Sequence, residues 1–362
     1  MADLLVARIS HARDWDALAT PWNELLQKSQ ANSPFLAWEW LRPWWNVYGQ
    51  GKELYVLTAT DNDELVGLAP FYLEHWRELG LIPARRLRLL GAAFGGGDFL
   101  DCIVLPGKEA AVYKALVAYL LEQRDWDYMF LERLEASSRG HAFLMSACQR
   151  RGLRIRRGLG YSYPAMDLPD SFEAFMQSPG AAFKHAAAAQ DATLSTDVFA
   201  AELDAWLCLL RDLHEEMVAA QGSGNAFSDH NKLMFYQQMA KNMRLADALC
   251  LFTLALNGKP AAMELGVLYD GAYYSLEWGC SRHGLEQGAQ TALSLGVFKS
   301  LIGRARSYVS VKYEDPAALA WGCGCRPTLK AALYREGKSR FILGLKAGLE
   351  GLRALKVLFR SD

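Results

Sequence analysis

Nothing in this chain looks built for an oxidising compartment. Its seven cysteines (Cys102, Cys148, Cys208, Cys250, Cys280, Cys323 and Cys325) are odd in number and scattered, with no CxxC pair. Cys323-Gly324-Cys325 has no partners at zinc-site spacing. They read as reduced thiols, and no metal is expected. A signal peptide is also missing: the segment from Met1 to Leu18 carries charges throughout and holds no apolar h-region. No uninterrupted apolar run reaches membrane-spanning length. The expected location is therefore the cytoplasm, or the periphery of the membrane at its inner face. The formal net charge of −1 exerts no global pull on nucleic acid, so any basic contact must be local. Several catalytic signatures are absent: a GxSxG elbow, HExxH, a Walker loop, and a dinucleotide fingerprint between strand and helix. The seven histidines lack ligand spacing, and His214 reads as a core-edge residue on its helix.

What is present is enough apolar material for two cores. A chain of 362 residues that is 51% hydrophobic suggests two domains, divided at 1–166 and 167–334 with a tail over 335–362. The most informative stretch is 249–280. Three apolar, partly alternating runs are joined by Asn257-Gly258-Lys259-Pro260 and Tyr269-Asp270-Gly271, which predicts a three-stranded antiparallel meander. A loop with spaced glycines, 281–288, follows, then a helix from Ala289 to Ile302. A sheet, a glycine-bearing loop and a helix start leave backbone N–H groups and a positive dipole end for an anion such as phosphate. Residues 53–74 repeat the strand–turn–strand plan of 251–269, a weak internal repeat.

Elsewhere the patterns are plainer. Ser33 and Pro34 are placed as cap and first residue of a helix carrying Trp38, Trp40, Trp44 and Trp45; these tryptophans either wedge the helix against a sheet or wall a ligand groove. Gly95 to Gly97 demand unusual backbone angles. Asp98 and Asp101 just after them either cap the next element or position a cationic or hydroxyl-rich substrate. Residues 153–166 read as a strand pair and 181–190 as a helix. The tail alternates basic and apolar residues and could lie on an anionic membrane, on its own domain or on a partner.

Several stretches together resemble one family. They are Ser33-Pro34-Phe35 with Trp38-Glu39-Trp40, Leu65-Val66-Gly67-Leu68-Ala69-Pro70, Arg86-Leu87-Arg88-Leu89-Leu90-Gly91, and Gly97-Asp98-Phe99-Leu100-Asp101. Trp126-Asp127, Tyr163-Pro164 and the meander add to them. The chain resembles the CelD-like acetyltransferases of cellulose and exopolysaccharide biosynthesis, a branch of the GNAT superfamily akin to FemAB-type transferases. The resemblance implies an α/β (α+β) fold of two tandem GNAT-like modules, each a mixed, mostly antiparallel sheet flanked by helices. It implies an acyl-CoA donor, acetyl-CoA or longer, in the second module. The sequence departs from the family at Ala186 to Ala189, where arginines are usual, and at Ala317-Ala318, where Tyr-Lys is usual. Only Gly288 remains of a Pro-Gly before the helix.

GNAT-type transfer requires a polarised thioester carbonyl, a base for the acceptor and an acid for the leaving thiolate. The strand bearing the carbonyl contact is expected within 261–268. Glu264 there, or Glu277 on the next strand, is the candidate base, and Tyr274 the candidate acid. Each has a plain structural alternative, as a paired strand residue or as packing. Gln287, Gly288 and Ala289 would offer N–H groups to the donor pyrophosphate, with Arg282 as charge partner. Lys312 and Glu314 would bind the acceptor or pair with each other. The expected partner is a small-molecule or sugar acceptor in envelope or exopolysaccharide synthesis. Two alternatives stay open: FemAB-like aminoacyl transfer, against which the near-neutral charge argues, and a non-catalytic partner in a polysaccharide-synthesis complex.

Overall fold

A computed structural model describes residues 4–92, 96–180, 193–196, 198–222, 224–312, 315–337, 339 and 341–345. The expected helix at 181–190, Glu314 and most of the tail lie outside the described residues. Strands β1 (Leu5–Ile9), β2 (Lys52–Asp61), β3 (Glu64–Glu78), β4 (Ile82–Leu89), β5 (Ile103–Val104), β6 (Tyr128–Glu135) and β7 (Arg154–Asp167) come from the first half. The second half adds β8 (Thr193–Ser195), β9 (Leu249–Leu256), β10 (Lys259–Tyr269), β11 (Ala272–Cys280), β12 (Ser307–Ser310) and β13 (Gly324–Tyr334). They join into one sheet, ordered β1-β2-β3-β4-β6-β13-β7-β12-β11-β10-β9-β8, with β5 beside β3. Most pairings are antiparallel; β4 with β6 and β11 with β12 are parallel. The result is a mixed, mostly antiparallel sheet flanked by helices, as the family resemblance implied, here joined into one sheet.

Turn chemistry sets the hairpins. Asn257-Gly258 and Asp270-Gly271 both take positive φ in the meander, and Asn62-Asp63 does the same between β2 and β3. Two consecutive left-handed residues twist the chain in the sense that flanking strands require, and Asn, Asp and Gly reach that region at low cost. Both copies of the weak internal repeat are therefore hairpins, β2–β3 and β9–β10.

Three local expectations change. Ser33 makes no capping bond; residues Pro34–Leu36 form a single 3-10 turn, and the helix begins at Trp38. Its amide is capped from another helix, by the Asn23 side-chain oxygen at 3.1 Å. The stretch 281–288 contains a short helix, Arg282–Glu286, because the Ser281 hydroxyl accepts from the Gly284 amide at 2.9 Å. Residues 154–167 are one long strand, since β13 pairs with them along most of their length and no turn is needed.

That last pairing crosses the halves. β13, the last strand in the chain, lies between β6 and β7, and β7 in turn pairs with β12. The sheet is thus continuous across residue 167. The main apolar cluster is shared as well: Trp40 packs edge-on against Phe35 and Phe235, at 4.8 and 5.3 Å between ring centroids. The tryptophan-rich helix Trp38–Tyr48 is a wedge against the helix Asn231–Leu245, and Trp40 also faces a cleft between the halves.

Candidate functional site

Two β-bulges place the polar groups of that cleft. In β11, Leu265 pairs with Glu277 but Gly266 pairs with Ser275, so Leu276 is an extra residue. Without it, Glu277 and Ser275 would share a face. With it, Leu276 and Glu277 both reach the cleft, while Ser275 turns to the opposite face beside Glu264. In β6, the register with β13 shifts between Leu131 and Leu134, and Arg133 there takes φ 57°. Bulges re-aim side chains and are enriched beside active sites; here one from each half aims a charge into the same space.

The cleft has a volume of about 490 Å³. On the second-half wall, the Lys232 ammonium donates to the Glu277 carboxylate at 2.7 Å. The His214 ring lies 3.3 Å from the other Glu277 oxygen and donates from Nδ1 to the Trp278 carbonyl at 2.8 Å. The Ala226 amide donates to His214 Nε2 at 3.2 Å, which assigns the ring proton to Nδ1 and leaves the imidazole neutral. Gly279 lets the helix bearing His214 lie close: a Cβ there would stand 2.5 Å from the His214 backbone nitrogen. Burial alone would raise the Glu277 pKa, but the attraction of the Lys232 ammonium holds it below the ordinary carboxylate range. Burial opposes the charge on Lys232 too, yet Glu277 carries its pKa above the usual lysine value.

On the first-half wall, Asp98 accepts from Arg133 at 2.8 Å and from the Tyr163 hydroxyl. Burial raises its pKa in spite of Arg133. Lys312 stands where the two walls meet, its ammonium 4.6 Å from the centroid of the Trp278 ring.

Among the described residues, that meeting place is a gap in the ladder between β11 and β12. β11 and β12 pair in parallel from Ala272 with Ser307 to Ser275 with Ser310. One further bond runs from the Val311 amide to the Ser275 carbonyl at 3.1 Å. β11 then continues to Cys280, while β12 has ended. On the helix side of the gap lies a small polar cavity of about 20 Å³, lined by Glu264, Ser275, Tyr308 and Asp315 and closed by Gln290, Trp278 and Trp321. Burial pushes Glu264 up to about 7, although Ser275 and Tyr273 hydrogen-bond it; the Tyr273 hydroxyl donates at 2.8 Å. Asp315 accepts from Ser310 at 3.0 Å and caps the helix Pro316–Ala320.

The structure separates the residues singled out in the sequence. Glu277, Lys312 and Asp98 share the cleft; Glu264 is on the other face of the sheet. The strand expected to carry the carbonyl contact, within 261–268, is β10, which pairs with β9 and β11 on its two edges; the parting strand is β11. Tyr274 is buried edge-on against Phe35, with centroids 5.3 Å apart, and is not at the gap. Asp101 accepts from the Ser138 hydroxyl and the Cys102 amide, and packs at the start of the helix Gly140–Arg150 rather than in the cleft. Gln287 and Gly288 donate their amides back to His283 and Leu285. Ala289 is therefore the one of the three whose amide lies outside such a turn, at the start of the helix Ala289–Leu301. Arg282 is exposed, and its amide donates to Glu216 at 3.0 Å. Lys232, Arg133, Tyr163 and Tyr236 line the cleft without having been anticipated. Of these only Tyr163 was named in the sequence, in the Tyr163-Pro164 pair of the family resemblance. Among the described residues, no group of three His, Cys, Asp or Glu side chains is arranged to hold a metal.

Residues 180–311 match the family model of an acetyltransferase (GNAT) domain. The matched span contains the meander, the gap and the Glu277–Lys232–His214 cluster. No curated protein sequence matches significantly. Among solved structures, FemX superposes with a TM-score of 0.64 at 8% identity, covering 90% of this chain and 96% of that one. A conserved protein of unknown function from Bacteroides thetaiotaomicron gives 0.56 at 11% identity, covering 91% and 100%. The C-terminal domain of a putative lysylphosphatidylglycerol synthetase from Agrobacterium fabrum gives 0.52 at 10% identity, covering 91% and 95%. At these identities the likeness is one of fold.

Proposed function

We propose that this chain is a GNAT-type acyltransferase that moves an acyl group from an acyl-CoA to the amine or hydroxyl of a small-molecule or sugar acceptor. Envelope or exopolysaccharide synthesis is the setting we infer from the sequence resemblance. The observation that carries this reading is the parting of β11 and β12, with a roomy charged cleft on one face and the start of the helix Ala289–Leu301 on the other. The acceptor would occupy the cleft. Its nucleophilic atom would attack the thioester carbonyl carbon through the gap, the C–S bond would break, and the thiolate would take the proton.

Glu277 suits positioning better than proton abstraction. A carboxylate held ionised by a buried ammonium is a weak base but a good acceptor for an amine or hydroxyl proton. Lys232 and Lys312 supply positive charge where a tetrahedral oxyanion would form. The helix side has room for little more than a water, so a pantetheine arm would displace Gln290 and Trp321.

That narrowness favours a second reading, aminoacyl transfer, in which the donor enters from the wide side. The fold likeness to a putative lysylphosphatidylglycerol synthetase accords with it. Isothermal titration calorimetry separates the two. Heat on adding acetyl-CoA or a longer acyl-CoA, reduced in a Gln290→Trp variant that fills the small cavity, supports the first. Absence of heat with any acyl-CoA, alongside retention of charged tRNA at moderate salt, replaces it with the second.

A further inference from the structure

The β3–β4 hairpin breaks the rule that the other tight turns obey. Its tip, Glu78 to Leu81, is closed by the Leu81 amide donating to Glu78 at 3.0 Å, and Leu79 and Gly80 both have positive φ. Three other turns with two such residues in a row place Asn or Asp first, namely Asn62-Asp63, Asn257-Gly258 and Asp270-Gly271. Leucine has no side-chain polar atom to compensate the left-handed backbone, so its use here works against the fold. It is also exposed, and so is Leu81, at 79%. Nothing inside the molecule is gained by either residue.

The surroundings say what the tip fits. Trp76 is half-exposed on the same hairpin, with the Arg86 guanidinium, itself paired with Glu74, stacked 3.8 Å from its ring centroid; Arg77 is exposed beside it, and the exposed His75 ring lies 3.3 Å from Glu53. A short helical segment near the chain's end docks here, with Ile342 buried among Ala84, Tyr128 and Tyr334. Its neighbour Phe341 is 63% exposed. Residues 346–362 follow from this point and carry Lys346, Arg353, Lys356 and Arg360 against only Glu350 and Asp362, between leucines and Phe359. Apolar side chains projecting from a turn, a half-exposed tryptophan and an excess of basic charge are the chemistry of a surface that meets lipid headgroups.

We propose that the β3–β4 hairpin tip and Phe341 form a docking face for an anionic phospholipid membrane. Leu79, Leu81 and Phe341 enter the headgroup boundary, and Arg77 beside them faces the lipid phosphates. Among the described residues no helix is long and apolar enough to cross a membrane, so the contact is peripheral. The inference does not depend on the acyl-transfer reading, because lipid binding is measured without turnover.

The test is flotation of the full chain with phosphatidylcholine vesicles, with and without about 30% phosphatidylglycerol. The expected result is recovery with the anionic vesicles only, weakening as salt rises from about 0.1 to 0.5 M. The decisive variant is Leu79→Asn, which repairs the turn. It should raise the melting temperature and yet weaken binding at least ~10-fold, and Leu81→Ser should weaken it similarly. A folding defect cannot produce that pair of results. Failure of the wild type to float, or equal flotation of Leu79→Asn, overturns the proposal. So does a dimer that Leu79→Asn converts to monomer with flotation unaltered, since the face would then belong to a second copy.

Discussion

Glu264 and Glu277 sit on adjacent strands within a few residues of the same gap, and their surroundings drive them apart. Glu277 has a buried ammonium at 2.7 Å, so its charge is compensated. Removing Lys232 as Lys232→Met leaves that carboxylate buried without its cation, and denaturant unfolding at neutral pH should show a loss of about 3–5 kcal/mol. Lys232→Met/Glu277→Gln should recover a large part of it. Among the described residues Glu264 has hydroxyl partners but no cation, and burial raises it to about 7. The native state therefore keeps a proton that the unfolded chain loses above its ordinary pKa, near 4.5. Stability falls as pH rises between those two values, and reaches a deficit on the order of 3 kcal/mol above pH 7. Glu264→Gln imitates the protonated form. Its melting temperature should match the wild type at pH 4.5 and exceed it at pH 8. A uniform difference at both pH values would mean that Glu264 does not titrate as its burial demands.

At the scale of elements, the cleft depends on how closely the helix Leu203–Gln221 lies on β11. Gly279 has no room for a Cβ against the His214 backbone nitrogen and the Leu210 carbonyl. Gly279→Ala should push the helix outward, cost about 1–3 kcal/mol in unfolding experiments, and lengthen the contact between His214 and Glu277. The same elements show what could be read from the chain alone. The meander, its two turns and the helix after Gly288 were legible because each rests on local chemistry: alternation for the strands, and residues tolerant of positive φ for the turns. The bulges at Leu276 and Arg133 were not. A bulge is defined by its partner strand's register, and β13, which exposes the one at Arg133, lies two hundred positions downstream (Ala331 opposite Leu131). The side on which Glu277 appears follows from the bulge at Leu276, so its separation from Glu264 was equally hidden. Lys232 is one lysine at the start of an ordinary helix; its importance comes from what lies opposite it.

For the molecule as a whole, the two halves are not separable along the chain. β6 bonds to β13, and β7 bonds to both β13 and β12, so residues 1–166 alone would leave one edge of β6 and both edges of β7 unpaired. Expressed by itself, that segment should fail to give a monomeric, cooperatively melting species, whereas co-expression with residues 167–362 should rescue it. A stable, monomeric first half would show that β13 is dispensable to it. Shared aromatic packing of Trp40 with Phe235 points in the same direction.

The interleaved last strand also bears on how the chain is made. A ribosome releases residues 128–167 long before residue 334, so the slot for β13 must wait open through nearly half of synthesis. Premature termination anywhere between these points leaves a product with adhesive edges, and the burden of keeping nascent chains apart falls on chaperones until the final strand arrives.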